Sequence, residues 1–567
     1  MADLNYGLFF DDSRLSQLRE LYKNSTTFAG LRQELEDYNR AEGQRFLQEE
    51  LDPNDQLKHL NDIGQTAGSM AFHFLMTGRE ESGQLAADCI RNILQFKYWD
   101  FFLSGEEVMG VQRAPSSVVA ITEASDWLGD FVSEEERRQW ITAMGEHGCE
   151  PCYRGIRDIR YPRQASLWRV NPKSGFFKRR PDLGGRQLMV RRPEITHNTN
   201  LRAVPASALA FGVFATEAEF GKSDTVDRWK EMARFNLEVF REIWEADGSY
   251  HEAMNYGNYT AKHLLQAALL FHQSGDTSLD DLIPWGGFAR YLFHLHLPTR
   301  LDSAGIINFG DSGNFPPTSG GDLSNSAHRP AVTMVPFYAG SRGDAEAQWI
   351  GGNLEASQDY WALLCYDPEA AASKPDTHPQ LWTCDLDWAV VREGWGVEDL
   401  VLALRSGIPG NHEHADRNSF ILKALGEVLI ADPFRCPYSC NDPSWIMRTT
   451  EGHSAVLVDG KGHGYVNGSE GTNASYAKAV LLESSFQNGD AILYSNATQP
   501  YRLVDLDITA VTRSLAVLLQ EKVVIIADHL GKQEMDSTLE PRFFGYNNDG
   551  EATLSVSENT FAIRRPG

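Results

Sequence analysis

The first two thirds of the chain carry apolar residues at helical spacing, in segments joined by short turns. Between residues 64 and 96 these residues recur every three or four positions, and Thr77-Gly78 interrupts the pattern as a turn between two helices would. The same pairing of helical segments recurs at 116–128 with 134–144, at 201–216 with 226–244, and again from 259 to 273. Successive helix hairpins predict an α/α toroid or an α-solenoid, and the lack of a strict repeat period favours the closed toroid.

The pattern changes after about Pro379, where short runs rich in β-branched residues alternate with Gly, Asn and Asp turns. The predicted strands are 388–392, 400–404, 419–423, 427–431, 455–458 and 523–527. This spacing is typical of an antiparallel β-sandwich. The prediction is therefore an α+β multidomain protein, with an N-terminal (α/α) toroid at 1–370 and a sandwich at 380–567. The Ala-, Pro- and Asp-rich stretch 367–379 is the predicted linker.

The composition indicates a soluble globular protein with an anionic surface. The chain has 567 residues, 42% hydrophobic and 23% charged, with a formal net charge of −26. That charge argues against a nucleic-acid or membrane binder, and no stretch reaches the ~20 apolar residues of a membrane span. The N-terminus lacks a signal-peptide pattern. We therefore expect a cytoplasmic protein as the chain stands, or a periplasmic or secreted one if an export signal has been removed.

One strongly basic segment stands out against this acidic background. Residues 154–192 hold twelve Arg and Lys against Asp158 and Asp182, a local excess of +10. A basic island in so acidic a chain suggests a site for an anionic ligand, and the alternative is a solvated insertion. The seven Cys are too sparse for a disulfide framework, and Cys149-Glu-Pro-Cys152 is half of a zinc motif without its other half.

Two segments of the helical part gather polar residues at helix ends. Thr196-His-Asn-Thr-Asn200 precedes an apolar helix, and it holds more Asn and His than a helix cap needs. Asp247-Gly248 breaks a helix, so that the residues after it lie at one rim of the toroid. Tyr256 and Tyr259 follow, three positions apart, and would share a face of the next helix; two such tyrosines commonly belong to a core.

The β-rich part holds a possible metal site. His412 and His414 flank Glu413, so that in an extended chain both imidazoles would face the same side. His414 with Asp432 and His453, from neighbouring strands, forms a plausible zinc set, and a network of hydrogen-bonded histidines is the alternative. Asn308-Phe-Gly-Asp-Ser312 is a weaker candidate loop.

Taken together, these motifs resemble the heparinase II/III-like polysaccharide lyases and their alginate-lyase relatives. The matching motifs are Asp247-Gly-Ser-Tyr-His-Glu with the later Tyr-x-x-Tyr pair, and His-x-His-x-Asp-x-x-Ser-Phe at 412–420 with the Gly-Glu, Asp-Pro and His-Ser-Ala-Val-Leu-Val-Asp-Gly motifs after it. The resemblance spans about residues 113–462. It implies an (α/α) toroid followed by an antiparallel sandwich, in agreement with the pattern of the chain.

The resemblance also implies roles for individual residues. The implied catalytic residues are Tyr256, His412, Asn198, Asn200 and His197; some relatives carry His where this chain has Asn200, so the residue that meets the substrate carboxylate is not assigned. The implied substrate-binding residues are Tyr259, Glu252, Arg113, Arg435 and Arg448. His414, Asp432 and His453 would hold a structural Zn²⁺. The implied partner is an anionic polysaccharide or oligosaccharide, with the oligomeric state left open.

The function implied is β-elimination at a 4-linked uronate, giving a C4=C5 unsaturated sugar. This reaction needs the C6 carboxylate neutralised, a base for the C5 proton and an acid for the leaving O4. Three alternatives stand beside it: a uronate C5-epimerase, an α/α-toroid glycoside hydrolase using Glu252 and Asp311, and a carbohydrate-binding protein with a dead site. The polymer and the choice of endo or exo cleavage are not encoded in these motifs, nor is the choice of Tyr256 or His412 as base.

Overall fold

The helical part is a layer of paired helices, and we describe it from a computed structural model. The structure describes residues 3–179, 196–301, 305–312, 334–354, 359–408, 410, 412–432, 443–464, 477–533, 536–547 and 550–564. The α-helices before the linker are Asp12–Asn24, Ala29–Asp37, Arg40–Arg45, His59–Thr77, Glu80–Ile93, Ala114–Trp127, Glu134–Met144, Glu150–Arg160, Phe176–Arg179, Asn200–Phe220, Asp224–Glu238, Phe240–Ile243, Ala253–Gln273, Trp285–His294, Met334–Ser341, Ala345–Asn353 and Tyr360–Cys365.

Local signals in the sequence end and begin these helices. Gly78 has a left-handed backbone and ends the helix His59–Thr77, as the Thr77-Gly78 turn predicts. The Ser133 side chain accepts a hydrogen bond from the Glu136 amide and caps the helix Glu134–Met144. Turns of this kind fold the chain into hairpins whose apolar faces meet.

The helices share one hydrophobic core. His59–Thr77 packs against Glu80–Ile93 and Ala114–Trp127, while Asn200–Phe220 packs against Asp224–Glu238 and Ala253–Gln273. Asn200–Phe220 is buried along most of its length, as expected for an inner helix of a toroid. A small sheet of Phe102–Ser104, Glu107–Met109 and Trp168–Val170 lies beside the helices.

The β-rich part contains two antiparallel sheets packed face to face. The five-stranded sheet runs in chain order through Gln380–Thr383, Ala389–Arg392, Val401–Leu404, Phe420–Ala424 and Glu427–Ile430. The four-stranded sheet also has its strands in chain order, and they are Val480–Gln487, Asp490–Asn496, Ile508–Leu518 and Val523–Lys532. Val456–Val458 pairs with Leu539–Pro541, Thr553–Ser557 pairs with Thr560–Arg564, and a short helix spans Thr498–Arg502.

The five-stranded sheet is buried on both faces. One face, including Leu402 and Phe420, packs on Leu493 and Leu515 of the four-stranded sheet. Side chains of the other face, such as Ala403, belong to the core of the helical part. Central strands buried on both faces explain why their sequences are continuously apolar instead of alternating. The sandwich is therefore joined to the helices along this sheet.

The predicted fold class, an α/α toroid plus an antiparallel sandwich, is confirmed. The last helix before the linker ends at Cys365 and the first strand of the sandwich begins at Gln380. Among the described residues, no helix combines the length and apolar character that a membrane crossing requires.

Candidate active site

The candidate site lies where one rim of the helical part meets loops of the five-stranded sheet. Gly248 has a φ of 93°, and a Cβ at this position would collide with the backbone of Gly287, so that only glycine fits the turn. After this turn the chain enters the helix Ala253–Gln273, whose first turns carry Tyr256 and Tyr259. His412 lies in the facing loop, between the strands Val401–Leu404 and Phe420–Ala424.

Tyr256 and His412 are in direct contact. Their rings are stacked, with centroids 3.4 Å apart and planes 5° from parallel. His412 Nδ1 lies 2.9 Å from Glu252 Oε1. A proton on Nδ1 donated to this carboxylate leaves Nε2 of the neutral imidazole as an acceptor. The structure thus brings together a phenol and an imidazole whose tautomer is set by a carboxylate.

Glu252 is held on its other oxygen by the helical part. The backbone N–H of Asn200 donates a hydrogen bond to Glu252 Oε2 at 2.7 Å, and the Tyr250 hydroxyl lies 3.0 Å from the same oxygen. Tyr250 stacks on Trp244, with ring centroids 4.1 Å apart. Burial, together with the negative charge of Glu252, raises the pKa of Tyr250 well above its usual value, so this hydroxyl remains a donor. Glu252 is fully buried and therefore meets His412 rather than solvent.

His412 occupies a turn, not an extended strand. Its φ is 60°, in the left-handed region, and its carbonyl accepts a hydrogen bond from the Asp311 amide at 2.7 Å. The expectation that His412 and His414 face one side of an extended chain is therefore wrong. The turn sends His412 to Glu252, whereas His414 Nε2 lies 3.1 Å from Asp311 Oδ1.

Asp311 connects the His412 turn with His414 and Arg448 in the interior. Its carboxylate accepts hydrogen bonds from Arg448 at 2.7 and 2.6 Å, and both side chains are fully buried. The predicted substrate-binding residue Arg448 thus lies in the interior, where it neutralises Asp311 and positions the loop that carries His412. The Asn308–Ser312 loop, a weaker candidate in the sequence, thus belongs to the site, and the Gly-Asp-Ser tripeptide at its end is the sequence signal for it.

The predicted metal set converges in three dimensions. Single ligand atoms of His414, Asp432 and His453 all lie within 4.8 Å of one another, and the three side chains are buried. His453 Nδ1 lies 2.9 Å from Asp432 Oδ1. Among the described residues, Asp432 Oδ2 and His453 Nε2 have no hydrogen-bond partner. Burial lowers the pKa of His414, which favours the neutral imidazole that a metal needs. These donors fit a divalent cation such as zinc.

The Asn-rich segment lies against this site through its backbone. Thr199 caps the helix Asn200–Phe220 by accepting from the Leu201 amide, while the Asn198 carbonyl lies 2.9 Å from the Tyr250 hydroxyl. The amide oxygens of Asn198 and Asn200 have no partner among the residues that the structure describes. These oxygens are buried acceptors, so a ligand carboxylate would have to be bound by the Nδ2 donors of the same side chains.

The other implied residues lie at different depths. Tyr259 is 40% exposed, one helical turn beyond Tyr256. Burial of part of the ring raises the pKa of Tyr259, and the nearby Arg113 guanidinium opposes this shift. His197 is half-buried, and its carbonyl accepts from Arg202 at 2.9 Å. Arg435 lies outside the described residues.

The basic island is less positive than its sequence suggests. Most of its described cations are paired with acidic side chains of the helical part: Arg154 with Glu107 and Glu150, Arg157 with Asp158, Arg169 with Glu106, Lys178 with Asp52, and Arg179 with Asp55. Residues 180–192 of the island lie outside the described residues. Cys149 and Cys152 are free, buried thiols whose pKa values burial raises.

Comparison with known proteins supports the motif-based resemblance. Residues 377–557 match the family model described as heparinase II/III-like, C-terminal. The fold is similar to the crystal structure of heparinase III, with a TM-score of 0.56 and 12% identity over 92% of this chain and 75% of that one. It is also similar to heparan sulfate lyase from Pedobacter heparinus, with a TM-score of 0.50 and 14% identity over 92% and 74% of the two chains. The search of curated proteins gave no match. At these identities the structural likeness establishes the fold.

Proposed function

We propose that the chain is a polysaccharide lyase acting on 4-linked uronates by β-elimination, because residues 377–557 match the family model described as heparinase II/III-like, C-terminal. The observation that carries the proposal is the Tyr256–His412 stack with Glu252 behind the imidazole. This group offers a proton donor and a proton acceptor side by side, as the reaction requires. The similar solved structures are those of heparinase III and of a heparan sulfate lyase, which also supports the proposal.

The proposed mechanism moves one proton from C5 to O4. The side-chain amides of Asn198 and Asn200 would hydrogen-bond the C6 carboxylate and stabilise the negative charge that develops as the C5–H bond breaks. The electron pair of that bond forms C4=C5 while the C4–O4 bond breaks, and O4 leaves with the electrons and takes a proton. Tyr256 and His412 would supply the base and the acid. Glu252 would act as a positioning residue that keeps the proton on His412 Nδ1.

The metal set has a structural role in this proposal. His414, Asp432 and His453 would hold Zn²⁺, which would hold the loops around it together without taking part in the elimination. His414 also contacts Asp311, whose backbone amide binds the His412 carbonyl. The metal would therefore stabilise the turn on which His412 lies.

The glycoside hydrolase alternative lacks support from the geometry. A hydrolase needs two carboxyl groups facing the scissile bond. Glu252 and Asp311 are both fully buried, and they bind His412 and Arg448 respectively. Neither carboxyl group is presented to a bound sugar.

The test is a screen of uronate polysaccharides, read by the ultraviolet absorbance of the new C4=C5 bond. On a cleaved polymer, Tyr256→Phe removes only the hydroxyl and should lower kcat by about 10²–10⁴ with the fold retained. Tyr259→Phe is the matched control on the same helix face, and its effect should be milder. Deuterium entering C5 without cleavage would instead identify the epimerase. A Tyr256→Phe enzyme with near wild-type turnover would show that the assignment is wrong.

A further inference from the structure

The stacking of Tyr256 on His412 bears on which uronate the site accepts. In a 4-linked uronate the C5–H and C4–O bonds point either to the same face of the sugar ring or to opposite faces. They share a face in D-glucuronate and D-mannuronate, and they lie on opposite faces in L-iduronate and L-guluronate. Base and acid must therefore approach from one side in the first pair and from two sides in the second.

The distance between the two rings excludes a sugar between them. Groups that act on opposite faces of a substrate lie roughly 6–7 Å apart, because each makes a near-attack contact of about 3–3.5 Å. The ring centroids of Tyr256 and His412 are 3.4 Å apart and the planes are parallel within 5°. A sugar that contacts both residues must lie beside the stack, so that both act on the same face.

His412 is fixed against swinging away from Tyr256. Its Nδ1 binds the Glu252 carboxylate, and its carbonyl accepts a hydrogen bond from the backbone N–H of Asp311. Glu252 is itself held by the backbone N–H of Asn200. Glu252 and Asp311 are fully buried. Moving His412 out of the stack would break its buried hydrogen bond with Glu252 and leave that carboxylate without its imidazole partner.

We infer that the site is selective for uronates whose C5–H and C4–O bonds share a face, the D-glucuronate and D-mannuronate configuration, over their C5 epimers. This inference rests on the proposed function. It assigns His412 to the same face of the substrate as Tyr256, so that the proton leaves C5 and reaches O4 on one side of the ring. The stack itself is then the feature that determines specificity.

The test compares polymers that differ at C5. Polymannuronate and polyguluronate form one such pair, and chondroitin and desulfated dermatan form another. Initial rates of absorbance increase at matched uronate concentration should favour the glucuronate or mannuronate member by about 10²-fold or more, the contribution of a positioned acid or base. Tyr259→Phe should keep the same ratio, because it leaves the stack intact.

The outcomes separate this inference from the function on which it rests. Equal rates within a pair, or faster cleavage of the guluronate or iduronate member, would overturn the inference and leave the lyase function standing. Absence of an unsaturated product across the whole screen of uronate polysaccharides, with the protein folded, would count against both. Cleavage confined to polymannuronate or chondroitin, and abolished by Tyr256→Phe, would support both the inference and the lyase function.

Discussion

Replacing Glu252 by Gln would test how the imidazole is set for proton transfer. The Glu252 carboxylate accepts a hydrogen bond from His412 on Oε1 and one from the backbone N–H of Asn200 on Oε2. A glutamine side chain has only one acceptor oxygen, and the backbone N–H of Asn200 requires it. The NH₂ group of the glutamine would therefore face His412. A donor at 2.9 Å from Nδ1 requires that nitrogen to be unprotonated, which moves the imidazole proton to Nε2.

The expected loss of kcat in Glu252→Gln follows from the proton acceptor that the substitution removes. With the proton on Nε2, the imidazole can no longer accept a proton from the substrate or from Tyr256. We therefore expect kcat to fall by about 10²–10⁴, the contribution of a positioned base. Glu252 is fully buried, so that it does not touch substrate, and KM should change by less than about threefold.

The assay is a steady-state measurement on a cleaved uronate polymer, with circular dichroism to verify the fold. Tyr250→Phe is the matched control, because it removes a hydroxyl 3.0 Å from the other oxygen of Glu252 and leaves the His412 contact in place. We expect that variant to lose less than about tenfold in kcat. If Glu252→Gln kept wild-type turnover, or if Tyr250→Phe were equally inactive, the tautomer argument would be refuted.

Three further predictions concern the metal, the basic island and pH. Elemental analysis should find about one zinc per chain, and His453→Ala should lower the melting temperature, whereas a stable metal-free preparation would contradict this. Arg179→Ala should change KM by less than about threefold, because its ion pair with the buried Asp55 already neutralises it; a larger change would place it at the substrate. Burial raises the pKa of Glu123 to about 8, above about 4.3 in the unfolded chain. This group therefore stabilises the fold most at low pH and loses that contribution as pH rises toward 8, so Glu123→Gln should flatten this part of the stability profile measured by urea unfolding.

Elements governed by local pattern could be predicted from the sequence. The turn at Thr77-Gly78 and the helices on either side of it follow from periodicity and a left-handed glycine. The continuous apolar runs at 389–391 and 401–404 fit strands whose two faces are both buried. The proximity of His414 and Asp432 could be predicted in the same way, since they flank the paired strands Phe420–Ala424 and Glu427–Ile430. His453 precedes Val456–Val458, which pairs instead with Leu539–Pro541.

The arrangement of the site could not be predicted in full, because distant contacts set it. The left-handed turn at His412 depends on a hydrogen bond from Asp311, about one hundred positions earlier. Arg448 was expected at the substrate, but Asp311, 137 positions away, holds it in the interior. The positioning role of Tyr250 could not be predicted, because its contacts with Glu252 and Asn198 exist only in the folded protein.

The long sequence separation of the contacts at the site has a consequence for the order of events in folding. Glu252 and His412 are 160 positions apart, one in the helical part and one in the sandwich. Local helix hairpins form early, whereas contacts between distant segments form only after the loop between them has closed. The imidazole can reach its carboxylate only once both parts have folded and docked along the five-stranded sheet. During refolding from denaturant, helical circular dichroism should therefore recover before enzymatic activity, and the delay would measure the docking step.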